Sequence, residues 1–169
     1  YEVGKNNYMI SIYENSETFS GSSVMFEILT DNANGITGKY IAFNAEEEEI
    51  YDCFLPGGYE VEEGYLYPYC SWYLSVTEGS MDGEGYAPLV DGEITITEDG
   101  GVYTFSFDCY DDAGHNISGN IKATGEVYDE NGEIVAYTRS GSTDVKKGKR
   151  EGWSVKLENR FVKSKAKRF

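Results

Sequence analysis

The chain has 169 residues, with 14 Lys/Arg against 30 Asp/Glu, a net charge of −16 and an aromatic share of 15% that includes 15 Tyr. That length suits one domain with its own core, and the composition is globular rather than disordered. The acidity argues against nucleic acid as a general partner, and no apolar run approaches a membrane span.

Helical periodicity is nearly absent, and strand periodicity recurs along the chain. "NYMISIYEN" places Tyr8, Ile10 and Ile12 on one face, and "SVMFEILTD" does the same with Val24, Phe26 and Ile28. "DNANG" turns the chain, and "GITGKYIAFN" supplies a further strand. Residues 46–90 read as the least regular part. They hold the acidic run Glu46 to Glu49, the breaker Pro56 to Gly58, the cluster "YLYPYCSWYLSV" and a loop, "GSMDGEG".

From Gly92 the alternation is clean. Ile94 and Ile96 face one way, and "EDGG" closes a hairpin because Gly supplies positive φ. Tyr103, Phe105, Phe107 and Cys109 then line one face, with Thr104, Ser106 and Asp108 opposite. "DDAG" closes the next hairpin, and Asn131-Gly132 marks a third turn. Gly119 and Gly125, inside a strand, suggest bulges or bends. "EIVAYTRS" and "WSVKLENRFV" complete the set. The expected fold is all-β, an antiparallel sandwich of about ten strands with consecutive hairpins, and a closed, calycin-like barrel is the alternative. An antiparallel domain is expected over residues 1–139. Residues 140–169 are expected to be a basic strand or tail, packed on or trailing it. They carry a local charge of +7 against −23 for the rest, so they lie against the acidic body or serve anionic partners.

The run "GEITITEDGGVYTFSFDCYDDAGHNISGNIKATG" resembles a recurring pattern in β-rich lipoproteins of Bacteroidetes cell envelopes. There, a short alternating strand is followed by Gly-x-Tyr-x-hydrophobic, an Asp-rich turn and I-x-G-x-x-x-x-G. "NYMISIYEN…SVMFEILTDNANGITGKYIAF" is similar to the opening strands of those proteins, with Gly38-Lys39-Tyr40 starting a strand. The likeness covers roughly residues 7–127. It implies export to the periplasm or outer-membrane surface, with a lipid anchor through a cysteine upstream of Tyr1, and it implies no activity. The chain starts at Tyr1, so the lack of a signal peptide is uninformative.

Candidate chemistry is sparse. His115, the one histidine, falls in the turn "DDAGHN", without a G-x-S-x-G elbow or zinc-ligand spacing to support it. Asp108, Asp111 and Asp112 are the right residue type for Ca²⁺ but miss the EF-hand spacing, and Asp also favours turns for local reasons. Of the three cysteines, Cys109 shares a face with Phe105 and Phe107 as a buried thiol, while Cys53 and Cys70 form a bridge if the compartment is oxidising. Tyr65, Tyr67, Tyr69, Trp72 and Tyr73 are either core rings or a contact surface. Tyr65, Tyr67 and Tyr69 share strand parity, and Pro68 argues for an edge or loop. The expected function is a non-catalytic envelope or surface domain without a cofactor, binding glycan or protein. A structural or adhesin-type assembly subunit and a lipocalin-like small-molecule carrier are the rival readings.

Overall fold

The computed structural model describes residues 5–13, 21–32, 35–47, 51–77, 80–128, 134–137 and 153–159. Every regular element among them is a strand: β1 (Asn6–Tyr13), β2 (Gly21–Thr30), β3 (Gly38–Ala42), β4 (Cys53–Phe54), β5 (Gly58–Glu62), β6 (Tyr65–Tyr69), β7 (Trp72–Thr77), β8 (Ser80–Pro88), β9 (Asp91–Asp99), β10 (Val102–Tyr110), β11 (Asn116–Tyr128), β12 (Ile134–Tyr137) and β13 (Trp153–Asn159). The segment expected to be irregular holds five of them, β4 to β8.

All but β5 and β6 join one curled, mixed sheet with the form of a half-barrel, ordered β1-β13-β11-β10-β9-β3-β4-β2-β7-β8. β12 adds to β11, and β2 also pairs with β1. The strands are not all antiparallel, which corrects the sequence expectation: β3 runs parallel to β4, and β11 runs parallel to β13. Parallel neighbours need a crossover rather than a tight turn, so hairpin signals along the chain carry no trace of these pairs. β13, from the basic segment, is inserted between β1 and β11.

The core follows the period-2 pattern. Ile10, Ile12, Val24, Phe26, Ile28, Ile94, Ile96, Phe105 and Cys109 are buried on one face of the sheet, joined by Tyr8, Tyr40, Phe54, Tyr103 and Phe107. Rings fill the concave side edge to face, with Phe26 5.6 Å from Phe107 and 6.4 Å from Phe54. Tyr40 is fully buried and donates from its hydroxyl to the Ile36 carbonyl at 2.8 Å. Burial pushes that phenol up to about 12.

Turn chemistry matches the sequence at both clean hairpins. Gly100 and Gly101, at φ 58° and 87°, form a two-residue turn between the paired Asp99 and Val102. Asp111 to His115 join Tyr110 to its partner Asn116. The Asn131-Gly132 turn lies outside the described residues, as do Glu48 and Glu49, but the strands flanking Asn131-Gly132 pair antiparallel.

Three local expectations are corrected. "GSMDGEG" is not a loop from Ser80 onward: it opens β8, paired along β7 through a register shift between Leu74 and Val76. Gly119 is no bulge. The β10–β11 register runs through it unbroken, and it faces Phe107, whose ring occupies the space a Cβ would need. Gly125 likewise keeps register opposite Val155.

A charged clasp closes one end of the sheet. Lys5, just ahead of β1, donates to Asp31 at 2.9 Å and Asp52 at 3.1 Å. Asp52 also accepts from Thr30 Oγ1 and from the Asp31 backbone N–H, each at 3.0 Å.

Candidate functional site

β5 and β6 form a two-stranded hairpin of their own. The sequence "GYEVEEGYLYPY" explains it: two alternating strands meet at Glu63-Gly64, with φ 51° and 85°, the positive values that a two-residue hairpin turn requires. The register pairs Glu62 with Tyr65, Val61 with Leu66, Glu60 with Tyr67, Tyr59 with Pro68 and Gly58 with Tyr69. A two-residue turn makes Glu62–Tyr65 a hydrogen-bonded pair, so Tyr59–Pro68 falls at a non-hydrogen-bonded site. Pro68 therefore costs the ladder no donor, which is how proline sits inside this strand.

Cross-strand partners share a face. One face of the arm carries Glu60, Glu62, Tyr65, Tyr67 and Tyr69. The other carries Tyr59, Val61, Leu66 and Pro68. Both faces are largely open, with Tyr65 69% exposed, Tyr67 52%, Tyr69 50%, Tyr59 50% and Val61 66%, while Leu66 is half-buried. Exposed large apolar side chains gathered on one element mark a contact surface more often than singly scattered ones do.

The base of the arm is anchored from below. Trp72 is 1% exposed, and its indole N–H donates to the carbonyls of Gly58 at 3.0 Å and Tyr69 at 2.8 Å, one from each strand of the arm. Its ring meets Tyr59 edge to face at 6.4 Å and Tyr86 at 6.1 Å. Gly57 is required beside this anchor, since a Cβ there would meet the Ser71 carbonyl at 1.9 Å.

Of the five aromatics singled out in the sequence, the structure brings Tyr65, Tyr67 and Tyr69 together in one exposed row. It separates Trp72, which is buried, and Tyr73, which is half-buried against the main core with its hydroxyl 3.2 Å from Ser22 Oγ. Tyr59, Val61, Glu60 and Glu62 were missed. The signal was the alternation on both sides of Glu63-Gly64, obscured by the preceding "PGG".

The acidic trio serves a turn. Asp111 accepts from the backbone N–H groups of Ala113 at 3.0 Å and His115 at 2.7 Å, and its second oxygen lies 3.0 Å from His115 Nδ1. Asp108 accepts from the Asn116 side chain, and Asp112 is exposed. Among the described residues no group of three or more His, Cys, Asp or Glu could hold a metal ion.

Cys53 and Cys70 are not joined by a disulfide. Cys53 is buried in β4, where burial pushes its thiol up to about 11, and Cys109 is buried in β10, pushed up to about 12 for the same reason. Both are held as inert thiols.

No protein family, no curated protein and no solved structure matches the chain.

Proposed function

We propose that this chain is a non-catalytic binding module of the cell envelope or surface, which contacts protein or glycan through the β5–β6 arm. The observation that carries the reading is the row Tyr65, Tyr67 and Tyr69, each at least half exposed on a hairpin whose strands pair with no strand of the main sheet among the described residues. Tyrosine rings give a large amphipathic contact area at low entropic cost. Export and anchoring rest on the likeness to envelope lipoproteins.

The body that carries the arm is read as a closed barrel filled by side chains. Pairings that run from β1 through β13, β11, β10, β9, β3, β4 and β2 back to β1 support closure. Phe26, Phe54, Phe105 and Phe107 packed on the concave side weigh against a carrier, which needs a cavity of several hundred Å³.

The test is a comparison of the natural chain with Tyr65→Ser/Tyr67→Ser/Tyr69→Ser on a glycan array and on a defined panel of peptides. The expected result is a ligand bound by the natural chain and lost in the variant, with the melting temperature kept. A variant that binds every ligand equally well removes the arm from the contact surface.

A further inference from the structure

We infer that the outer edge of β5 takes up an extended strand from a partner protein whose cationic and apolar residues alternate. This deepens the reading of the arm as a contact surface and rests on it. Three observations carry it.

The first is the edge. Among the described residues β5 pairs only with β6. In this register Tyr59 and Val61 occupy non-hydrogen-bonded sites, so their N–H and C=O groups point away from β6. Such groups are a template for adding a strand. The far edge of β6 is the poorer template, because Pro68 lacks a donor.

The second is charge. Glu60 and Glu62 stand on one face of β5, with Glu63 at the tip, and no lysine or arginine lies between Lys39 and Lys122. A strand added to β5 brings its side chains to within about 5.5 Å of Glu60 and Glu62. Cations at every second position would meet these carboxylates. Behind them stand Tyr67 and Tyr65, the cross-strand partners of Glu60 and Glu62, whose ring faces also attract cations.

The third is the opposite face. Tyr59, Val61 and Leu66 form a small apolar strip there. The residues between the cations of the incoming strand fall on that side, because strand side chains alternate. They extend the strip if they are apolar. Two strands alone are marginal in water, and a third covers apolar surface on one side and balances charge on the other. The chain's own Lys163, Lys165 and Lys167 alternate as well, but Ser164 and Ala166 between them offer little to the apolar strip.

The probes are two capped peptides of one composition, Lys-Val-Lys-Val-Lys-Val and Lys-Lys-Lys-Val-Val-Val. Binding to the full chain is followed by fluorescence anisotropy at physiological salt. The alternating peptide is expected to bind at least about tenfold tighter, a preference that bulk attraction to an acidic body does not produce. Two variants should each abolish it: Val61→Pro, which removes an outward N–H while sparing the hairpin ladder, and Glu60→Lys/Glu62→Lys. All three positions are exposed, and near-unchanged melting temperatures check that the fold is kept. Equal binding of the two peptides, or a preference that survives Val61→Pro, overturns the inference. So does a preference seen only after residues 161–169 are deleted, which would assign the edge to the chain's own terminus. If no peptide preference exists but the triple tyrosine variant loses another ligand, the contact surface stands and the strand-addition inference falls.

Discussion

Trp72 holds Tyr69 from beneath: the buried indole donates to the Tyr69 carbonyl at 2.8 Å, while the tyrosine ring above stays half exposed. The two aromatics therefore differ in what they contribute to stability. Trp72→Ala should cost about 3–5 kcal/mol, by loss of buried ring volume together with the indole hydrogen bonds to two carbonyls. For a chain of this size that is a fall of roughly 6–20 °C in melting temperature. Tyr67→Ala should stay within about 0.5 kcal/mol of the natural chain, as exposed sites usually do. Thermal melts of the two variants side by side check this. Equal losses would mean that the Tyr67 ring is part of the packed structure.

What could be read from the sequence follows from where burial is one-sided. β9, β10 and the start of β11 are legible because one face is core and the other wet, so polarity alternates, and glycines mark the turns. The arm hides for the opposite reason. Both of its faces are exposed, so the alternation of Tyr59 and Val61 with Glu60 and Glu62 marks no buried side, and Tyr65 and Tyr67 are flanked by Leu66 and Pro68 rather than by polar residues. Trp72 and Tyr69 look equivalent in "YLYPYCSW" and part only because Trp72 lies on β7 under the hairpin. The parallel pairs Ile41–Cys53 and Thr124–Ser154 join segments that no local pattern connects.

At Gly119, where the sequence suggested a bulge or bend, the structure shows unbroken register and close packing. A Cβ there would lie 2.6 Å from Phe107 Cζ. The Phe107 ring is itself held 5.6 Å from Phe26 in the core, so it cannot simply swing aside. Gly119→Ala should destabilise by about 1–3 kcal/mol, the usual cost of overpacking. Urea unfolding of this variant beside Gly119→Ala/Phe107→Leu checks the cause. The double variant should recover part of the loss, and an unchanged midpoint for Gly119→Ala alone would refute the contact.

The buried thiols give a prediction about reactivity. With Cys53 at about 11 and Cys109 at about 12, both raised by burial, almost no thiolate is present on either at pH 8. In the folded protein both should react with an aromatic disulfide reagent orders of magnitude more slowly than in denaturant. Without any reductant, the denatured chain should then yield three reactive thiols, since no bridge is present. Mass mapping of the labelled peptides identifies which sites are protected. Rapid labelling of Cys109 in the native state would contradict its place in the core.

The clasp around Lys5 sets the response to acid and alkali. Burial alone would raise the Asp52 carboxyl, but hydrogen bonds from the Asp31 N–H, Lys5 and Thr30 outweigh it, so it lies below its ordinary 3.8. The unfolded chain therefore binds a proton at a higher pH than the folded one does. The clasp's contribution is present above about pH 4 and is lost as the pH falls through the depressed folded value. For Lys5, burial opposes the charge but the bonds to Asp31 and Asp52 prevail, and the ammonium lies above 10.5. Its contribution is complete below that pH and is lost as the pH rises through the folded value. Asp52 is partly exposed, so solvent screens the pair, and Asp52→Asn should cost about 1 kcal/mol or less at neutral pH. The variant should also show a shallower fall of the urea midpoint between pH 5 and pH 2. Midpoints measured across that range for both proteins check the sign. Parallel curves would mean that Asp52 titrates alike in the folded and unfolded states, and that the clasp does not contribute to acid sensitivity.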